Sequence, residues 1–473
     1  MANTAPLRDV PLLPATLVVD KRPDGTIVAR HADAIKSYPK KTTEWLDHWA
    51  ETAPDRIYMA QRDGSGPWNT LSYRQMRTAA RAVGTALLSR SLSPQRPIAF
   101  LSGNDLGQAV MGFAAQYAGI PFAAVSPAYS TVSQDFGKLR YVLGLLNPGM
   151  IYVSSGKAFA KAIGAVVPAD VEVVYAVDPP VGRARTTAIT DLIRTRPTPA
   201  IDTANAAIGP DTVVKFLFTS GSTGHPKGVI NTQRMLTADT AMVAAGIPFV
   251  EQTPPVLVDW LPWSHTFAGN HNINLVLAHG GTLYIDEGRP LPGAIDTTIR
   301  NLKDISPTIY FNVPRGFEAL LPALKSDAAL RKTFFSRLQA MFYAGASLPQ
   351  FVWDGLQDAA VQETGHRIPM ITGLGSTETA PGCIGSTNKC ARSGMVGLPL
   401  PGVELKLVPN GGKLEARVRG PNITPGYWKQ PDTTKAAFDE EGFYKLGDAL
   451  KFVDDRDPSL GFLFDGRAKK QMQ

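Results

Sequence analysis

The sequence predicts an α/β fold of largely parallel sheets, followed by a smaller β-rich unit. Two observations carry this reading. Up to about residue 393, short apolar runs of strand type alternate with longer runs of helical period. From Gly394 the texture changes to short alternating runs punctuated by Gly and Pro, as in "GMVGLPLPGVELKLV", "GKLEARVRG" and "GFYKLGDALKFV". Length agrees, because 473 residues exceed one simple core and suggest two or three packed units.

Taken in order, residues 1–40 are rich in proline and charge and read as an extended arm. Helices are predicted over 43–51 and 73–88, then the strand "PIAFLSGN", a helix over 105–118, and the strands "IPFAAV", "GMIYVSS" and "VEVVYAV". The most apolar stretch, residues 109–125, contains Gln116, Tyr117 and Pro121. It therefore reads as a buried helix followed by a strand, with no membrane span. The domain reading is an arm over 1–40, an α/β core of two subdomains over 41–393, a β-rich, barrel-like subdomain over 394–464, and a hinge over 465–473.

Composition excludes several classes. With 44% apolar and 19% charged residues, global disorder is ruled out. The net charge of +7 is spread along the chain without a run of five basic residues, so no nucleic-acid partner is expected and only a mild attraction for anionic ligands follows. Two cysteines, Cys383 and Cys390, are too few for a disulfide framework and lack zinc-site spacing. A cytoplasmic location is the expectation, since "MANTAPLRDVPLLPATLVVD" lacks the cationic and apolar segments of a signal peptide.

The chemistry-bearing stretch is "FTSGSTGHPKG", residues 218–228, which directly follows the strand-like "VVKFLF". Glycines 221, 224 and 228 free backbone N–H groups to converge on an anion. The hydroxyls of Thr219, Ser220, Ser222 and Thr223 add donors, and Lys227 adds a positive charge. A Gly/Ser linker has the same composition, so the stretch alone leaves both readings open. A Walker A loop is excluded, because Lys227 follows Pro226 and precedes Gly228. His265, His271 and His279 are spaced by six and eight residues, which fits no helical metal pair.

Five further segments follow in order: "LPWSHTFAG", "YAGASLP", "GLGSTET", "YKLGD" and "DGRAK". Together with the Gly-rich loop they resemble the signatures of the adenylate-forming superfamily, which comprises acyl-CoA synthetases, luciferases and peptide-synthetase adenylation domains. The resemblance covers roughly residues 40 to 473, and six ordered motifs are far more specific than any one. It implies the large N-terminal domain of that fold, with two mostly parallel α/β subdomains and a smaller β-barrel-like one. It also implies ATP, Mg²⁺ and coenzyme A as reactants or cofactors, a carboxylic acid as the group activated, and room for a homodimer, though no patch in the sequence argues for one.

By that resemblance, Thr219, Ser220, Gly221, Ser222, Thr223, Gly224 and Lys227 hold the β- and γ-phosphates. Gly345, Ala346, Gly373, Leu374, Gly375 and Ser376 flank the adenine, Thr377 bonds the α-phosphate, and Glu378 carries Mg²⁺. Asp448 and Arg467 hold the ribose. Lys227, His265, Thr377 and Glu378 form the catalytic set. Trp263, His265, Phe267, Asn270, Tyr343, Gly345 and Gly373 border the acid. Read without the family, Glu378 is equally a helix N-terminal acid, the Gly447-Asp448 pair a turn, and His265 a core histidine.

Two positions depart from the family pattern: Leu374 stands where an aromatic adenine platform is common, forgoing about 0.5–1.5 kcal/mol of stacking, and Leu446 stands where threonine is common. A third departure is the expected absence of a C-terminal lid domain of about a hundred residues beyond the hinge at Lys469, which would impair both half-reactions. The wording of residues 258–290 looks most like the feruloyl-CoA synthetase branch, which activates hydroxycinnamic acids. Fatty-acyl or benzoate-type substrates, and a non-catalytic nucleotide-binding protein of the same fold, stay open as alternatives.

Overall fold

The computed structural model describes residues 4–219, 224–390 and 392–468. Among these residues the strands form three sheets. A seven-stranded sheet runs Lys227–Thr232, Val213–Thr219, Phe122–Ala124, Ile98–Phe100, Met150–Ser155, Glu172–Val177 and Thr186–Ala188. It is parallel throughout except for its first pair, an antiparallel hairpin. A four-stranded sheet orders Val256–Asp259, Thr282–Ile285, Ile57–Arg62 and Trp68–Ser72.

The helices between these strands form where local chemistry starts and stops them. Tyr73–Leu88 begins at Ser72, whose Oγ accepts from the Gln75 N–H at 3.2 Å while Gln75 Oε1 accepts from the Ser72 N–H at 2.8 Å, a reciprocal cap. Leu106–Ala118 begins at Asp105, which accepts from the Gln108 N–H at 2.9 Å, and ends at Gly119 with φ 68°, a left-handed stop that glycine adopts without strain. Asp105 also accepts from the Tyr152 hydroxyl at 2.6 Å, tying helix to strand.

The third sheet has eleven strands, in the order Leu17–Lys21, Ile27–His31, Glu404–Asn410, Lys413–Arg419, Tyr444–Phe452, Phe462–Arg467, Met395–Pro399, Gly382–Gly385, Met370–Gly375, Ala340–Tyr343 and Ile309–Asn312. Only its last three strands pair in parallel. Two features go beyond the sequence reading. The arm over residues 1–40 carries a hairpin that pairs with Glu404–Asn410. The strands after Gly394 join the parallel strands of the core through Met395–Pro399. Alternation of apolar and polar residues marks a strand without naming its partner, which is why the pairing was not legible. Among the described residues no helix is long and apolar enough to cross a membrane.

Candidate active site

A cavity of about 1740 Å³ opens where the carboxyl ends of Ala340–Tyr343 and Met370–Gly375 meet the Val213–Thr219 hairpin. This is the usual place for ligands in parallel sheets. Lys227, His265, Thr377, Glu378, Asp448 and Arg467 all line it.

The side expected to hold the phosphates rests on the hairpin. Thr219 pairs with Lys227 across the two strands, and both line the cavity. Ser220, Gly221, Ser222 and Thr223 lie outside the described residues. Gly224, at φ 86°, adopts a conformation few side chains tolerate. The Lys227 ammonium sits 4.9 Å from the ring centroid of Tyr427, a cation–π contact. The Tyr427 hydroxyl in turn donates to Glu378 Oε1 at 2.8 Å and lies 3.4 Å from the Tyr444 hydroxyl. Burial and the Glu378 charge raise the pKa of both phenols, so each keeps its proton. Glu378 is buried, and its carbonyl accepts from the Thr424 N–H at 2.8 Å. The loop 420–428 thereby straps the carboxylate in place.

The wall expected to flank the adenine is glycine-lined for steric reasons. A Cβ on Gly375 would fall 1.6 Å from the Pro381 carbonyl oxygen, and one on Gly373 would fall 3.1 Å from that of Ile384. Tyr343, Gly345, Ala346, Gly373, Leu374, Gly375 and Ser376 all border the cavity. Gly345 lies at φ 87°, and the Ser376 N–H donates to Thr379 Oγ1 at 2.8 Å. Asp448 and Arg467, the pair expected at the ribose, are cross-strand partners with a 2.9 Å ion pair. Burial raises the Asp448 pKa and Arg467 opposes the rise. Leu446 lines the cavity beside them.

The wall expected to border the acid is built on an unusual turn. Phe267–Asn272 is π-helical, a feature often found at functional sites. It is held by both strands of the hairpin: Lys215 Nζ donates to the Gly269 carbonyl at 2.5 Å, and Asn270 Nδ2 donates to Asn231 Oδ1 at 2.8 Å. The His265 ring stands open to the cavity, but the surrounding walls lower its pKa by desolvation. Its Nδ1 accepts from the Phe267 N–H at 3.3 Å. Phe267, His271, Phe342, Ile247 and Leu400 supply apolar walls.

Two expected acid-side residues lie elsewhere. Trp263 is buried in the core beside Lys215, against a small void of about 40 Å³, and Asn270 is turned to Asn231 and Thr266. Neither borders the large cavity. Tyr427, Tyr444, Lys215, Asn231 and His271 went unrecognised in the sequence. Two carried a signal there: Tyr444, the first residue of "YKLGD", and His271, whose four-residue spacing from Phe267 puts both on one helical face.

A cavity at the carboxyl ends of parallel strands beside a hairpin is the ligand-site geometry of an α/β protein. The sequence pattern of the AMP-binding enzyme family matches residues 46–428, most of the chain, and the chain belongs to that family. It is 30% identical over 286 residues to long-chain-fatty-acid–CoA ligase 6 of Homo sapiens, a match covering 52% of this chain and 40% of the relative. The chain thus spans less than half the length of that relative. The ATP-bound structure of MatB from Rhodopseudomonas palustris superposes with a TM-score of 0.68 at 22% identity, covering 90% of this chain and 79% of that one. A benzoate CoA ligase from Burkholderia xenovorans LB400 superposes with a TM-score of 0.72 at 19% identity, covering 90% and 80%. At these identities the two structures establish the fold, that of adenylate-forming CoA ligases.

Proposed function

We propose that this protein is an ATP-dependent acid:CoA ligase that activates a hydroxycinnamic acid. The supporting observation is a single cavity with phosphate-type groups at one end and an aromatic-walled slot at the other. In the first step a carboxylate oxygen attacks the α-phosphorus of ATP, forming the acyl-adenylate and expelling pyrophosphate. Two anions must meet for this, so charge neutralisation dominates. Lys227 supplies one charge to the β- and γ-phosphates, and Thr377 bonds the α-phosphate. Asp448 accepts from the ribose hydroxyls.

Glu378 fits a divalent cation. It is a single buried hard carboxylate oriented by Tyr427, and Mg²⁺ commonly takes one or two carboxylates plus substrate phosphates. Bound there, Mg²⁺ would neutralise charge on the phosphate oxygens. Because His265 Nδ1 accepts from Phe267, its proton lies on Nε2. The neutral ring can then donate to the acid's carboxylate without competing for positive charge. In the second step the thiol sulfur of coenzyme A attacks the acyl carbon, its proton is lost, and AMP leaves with the bonding electrons.

Ferulate-dependent pyrophosphate release, together with calorimetric binding of feruloyl sulfamoyl adenosine, tests this reading. Nanomolar binding of the analogue and acid-dependent release support it; binding of ATP with no affinity for any acyl analogue overturns it. A fatty acid is the second reading. It is favoured by the cavity's size, above the roughly 300–1,000 Å³ of common ligand pockets, and by the name of the human relative. Palmitate in the same assay separates the two.

A further inference from the structure

His225 stands two residues before Lys227 and is exposed. Its ring stacks on that of Tyr141, with centroids 4.5 Å apart and planes inclined by 23°. Such a pair contributes more than the area it buries. Here it ties the end of the glycine-rich stretch to the helix Gly137–Leu146, far from it in sequence.

Tyr141 is itself held in place. Gln430 Nε2 donates to its hydroxyl at 3.2 Å, and Lys429 Nζ donates to the Leu145 carbonyl on the last turn of the same helix at 2.9 Å. Lys429 lies at φ 55°, a left-handed conformation that a residue with a side chain keeps where its surroundings over-determine it.

The segment that supplies Gln430 also grips Lys227. The Trp428 N–H donates to the Gly228 carbonyl at 2.8 Å, and the Lys227 ammonium sits over the Tyr427 ring. The contacts therefore close a circuit, in which Lys227 meets segment 427–430 directly and His225 meets it through Tyr141. Pro226 between them is buried and has its φ fixed by its own ring, so a hold on His225 is passed to Lys227.

We infer that Tyr141 is a positioning residue for Lys227, acting through the His225 stack to keep residues 224–227 in the conformation that meets the β- and γ-phosphates. The inference rests on the ATP-dependent reading above. It goes further, since it gives a part in triphosphate affinity to a helix that lies outside the cavity wall. Without the stack those residues sample other conformations, and affinity falls in proportion to the competent fraction. A nucleotide lacking the β- and γ-phosphates escapes that penalty.

The test is calorimetric binding of magnesium ATP and of AMP, without any acid, to the full chain and to His225→Ala, Tyr141→Ala, their double variant and Tyr141→Phe. Each single alanine variant is expected to weaken ATP binding about three- to tenfold, the range one aromatic pair supplies, with AMP binding unchanged. The double variant should be no weaker than either single one, because each already abolishes the same stack. Tyr141→Phe keeps the ring and should keep most of the affinity. Unchanged ATP affinity in either single variant, losses that add in the double variant, or equal losses for AMP and ATP overturn the inference while the ligase reading stands. If the unaltered protein binds neither nucleotide, both fall. Should Tyr141→Ala fail to fold, Tyr141→Leu takes its place in the cycle.

Discussion

At the scale of single residues, the cavity is defined as much by atoms that are missing as by those present. Gly375 has no room for a methyl group, its Cβ falling 1.6 Å from a backbone oxygen. Gly375→Ala is therefore expected to cost roughly 3 kcal/mol and to weaken AMP binding, checked by denaturant unfolding and calorimetry. Glu378→Gln keeps the size and one acceptor for the Tyr427 hydroxyl but removes the charge. Acid-dependent pyrophosphate release should fall by about a hundredfold or more, with thermal stability nearly unchanged and AMP binding retained. Loss of AMP binding in this variant would instead mark Glu378 as part of the nucleotide scaffold. These polar residues were readable beforehand, because each sits in a short motif whose residue types the chemistry demands. Tyr427 was not, since a tyrosine reaching 49 positions along the chain to Glu378 leaves no local pattern.

At the scale of elements, the hairpin of Val213–Thr219 and Lys227–Thr232 and the π-helical turn Phe267–Asn272 are one mechanical unit. Both hairpin strands reach the turn, through Lys215 to Gly269 and through Asn231 to Asn270. Movement of the hairpin on binding phosphate would be felt at His265. Lys215→Met should therefore raise KM for the acid more than for ATP, measured by initial rates of pyrophosphate release.

The same lysine yields a pH prediction. Burial lowers its pKa to about 7 from an ordinary value near 10.5. Between those values the unfolded chain binds the extra proton, so this group's contribution to stability rises with pH from about 7 to 10.5 and is lost as pH falls toward 7. Unfolding midpoints at pH 7 and pH 9 should therefore differ more for the unaltered protein than for Lys215→Met. The helices and strands themselves were readable from period and caps, as at Ser72 and Asp105. The π-turn was not, because Lys215, 54 positions away in sequence, holds its displaced carbonyl.

At the scale of the whole molecule, the eleven-stranded sheet binds the start of the chain to its end. The hairpin Leu17–Lys21 and Ile27–His31 covers the edge of Glu404–Asn410. Removing residues 1–31 would expose that edge, leaving a row of unpaired backbone groups. The shortened protein should melt several degrees lower and self-associate, as read by calorimetry and light scattering. An unchanged melting temperature would show that the hairpin is dispensable.

The fold class and the family motifs are written in the residues, because each depends on contacts between near neighbours or on a fixed order of short segments. Tertiary structure alone decided which side chains of residues 263–272 face the cavity. That segment's rotation is set by Lys215 and Asn231 on distant strands, so Phe267 and His271 turn inward to the slot while Trp263 and Asn270 turn to the core.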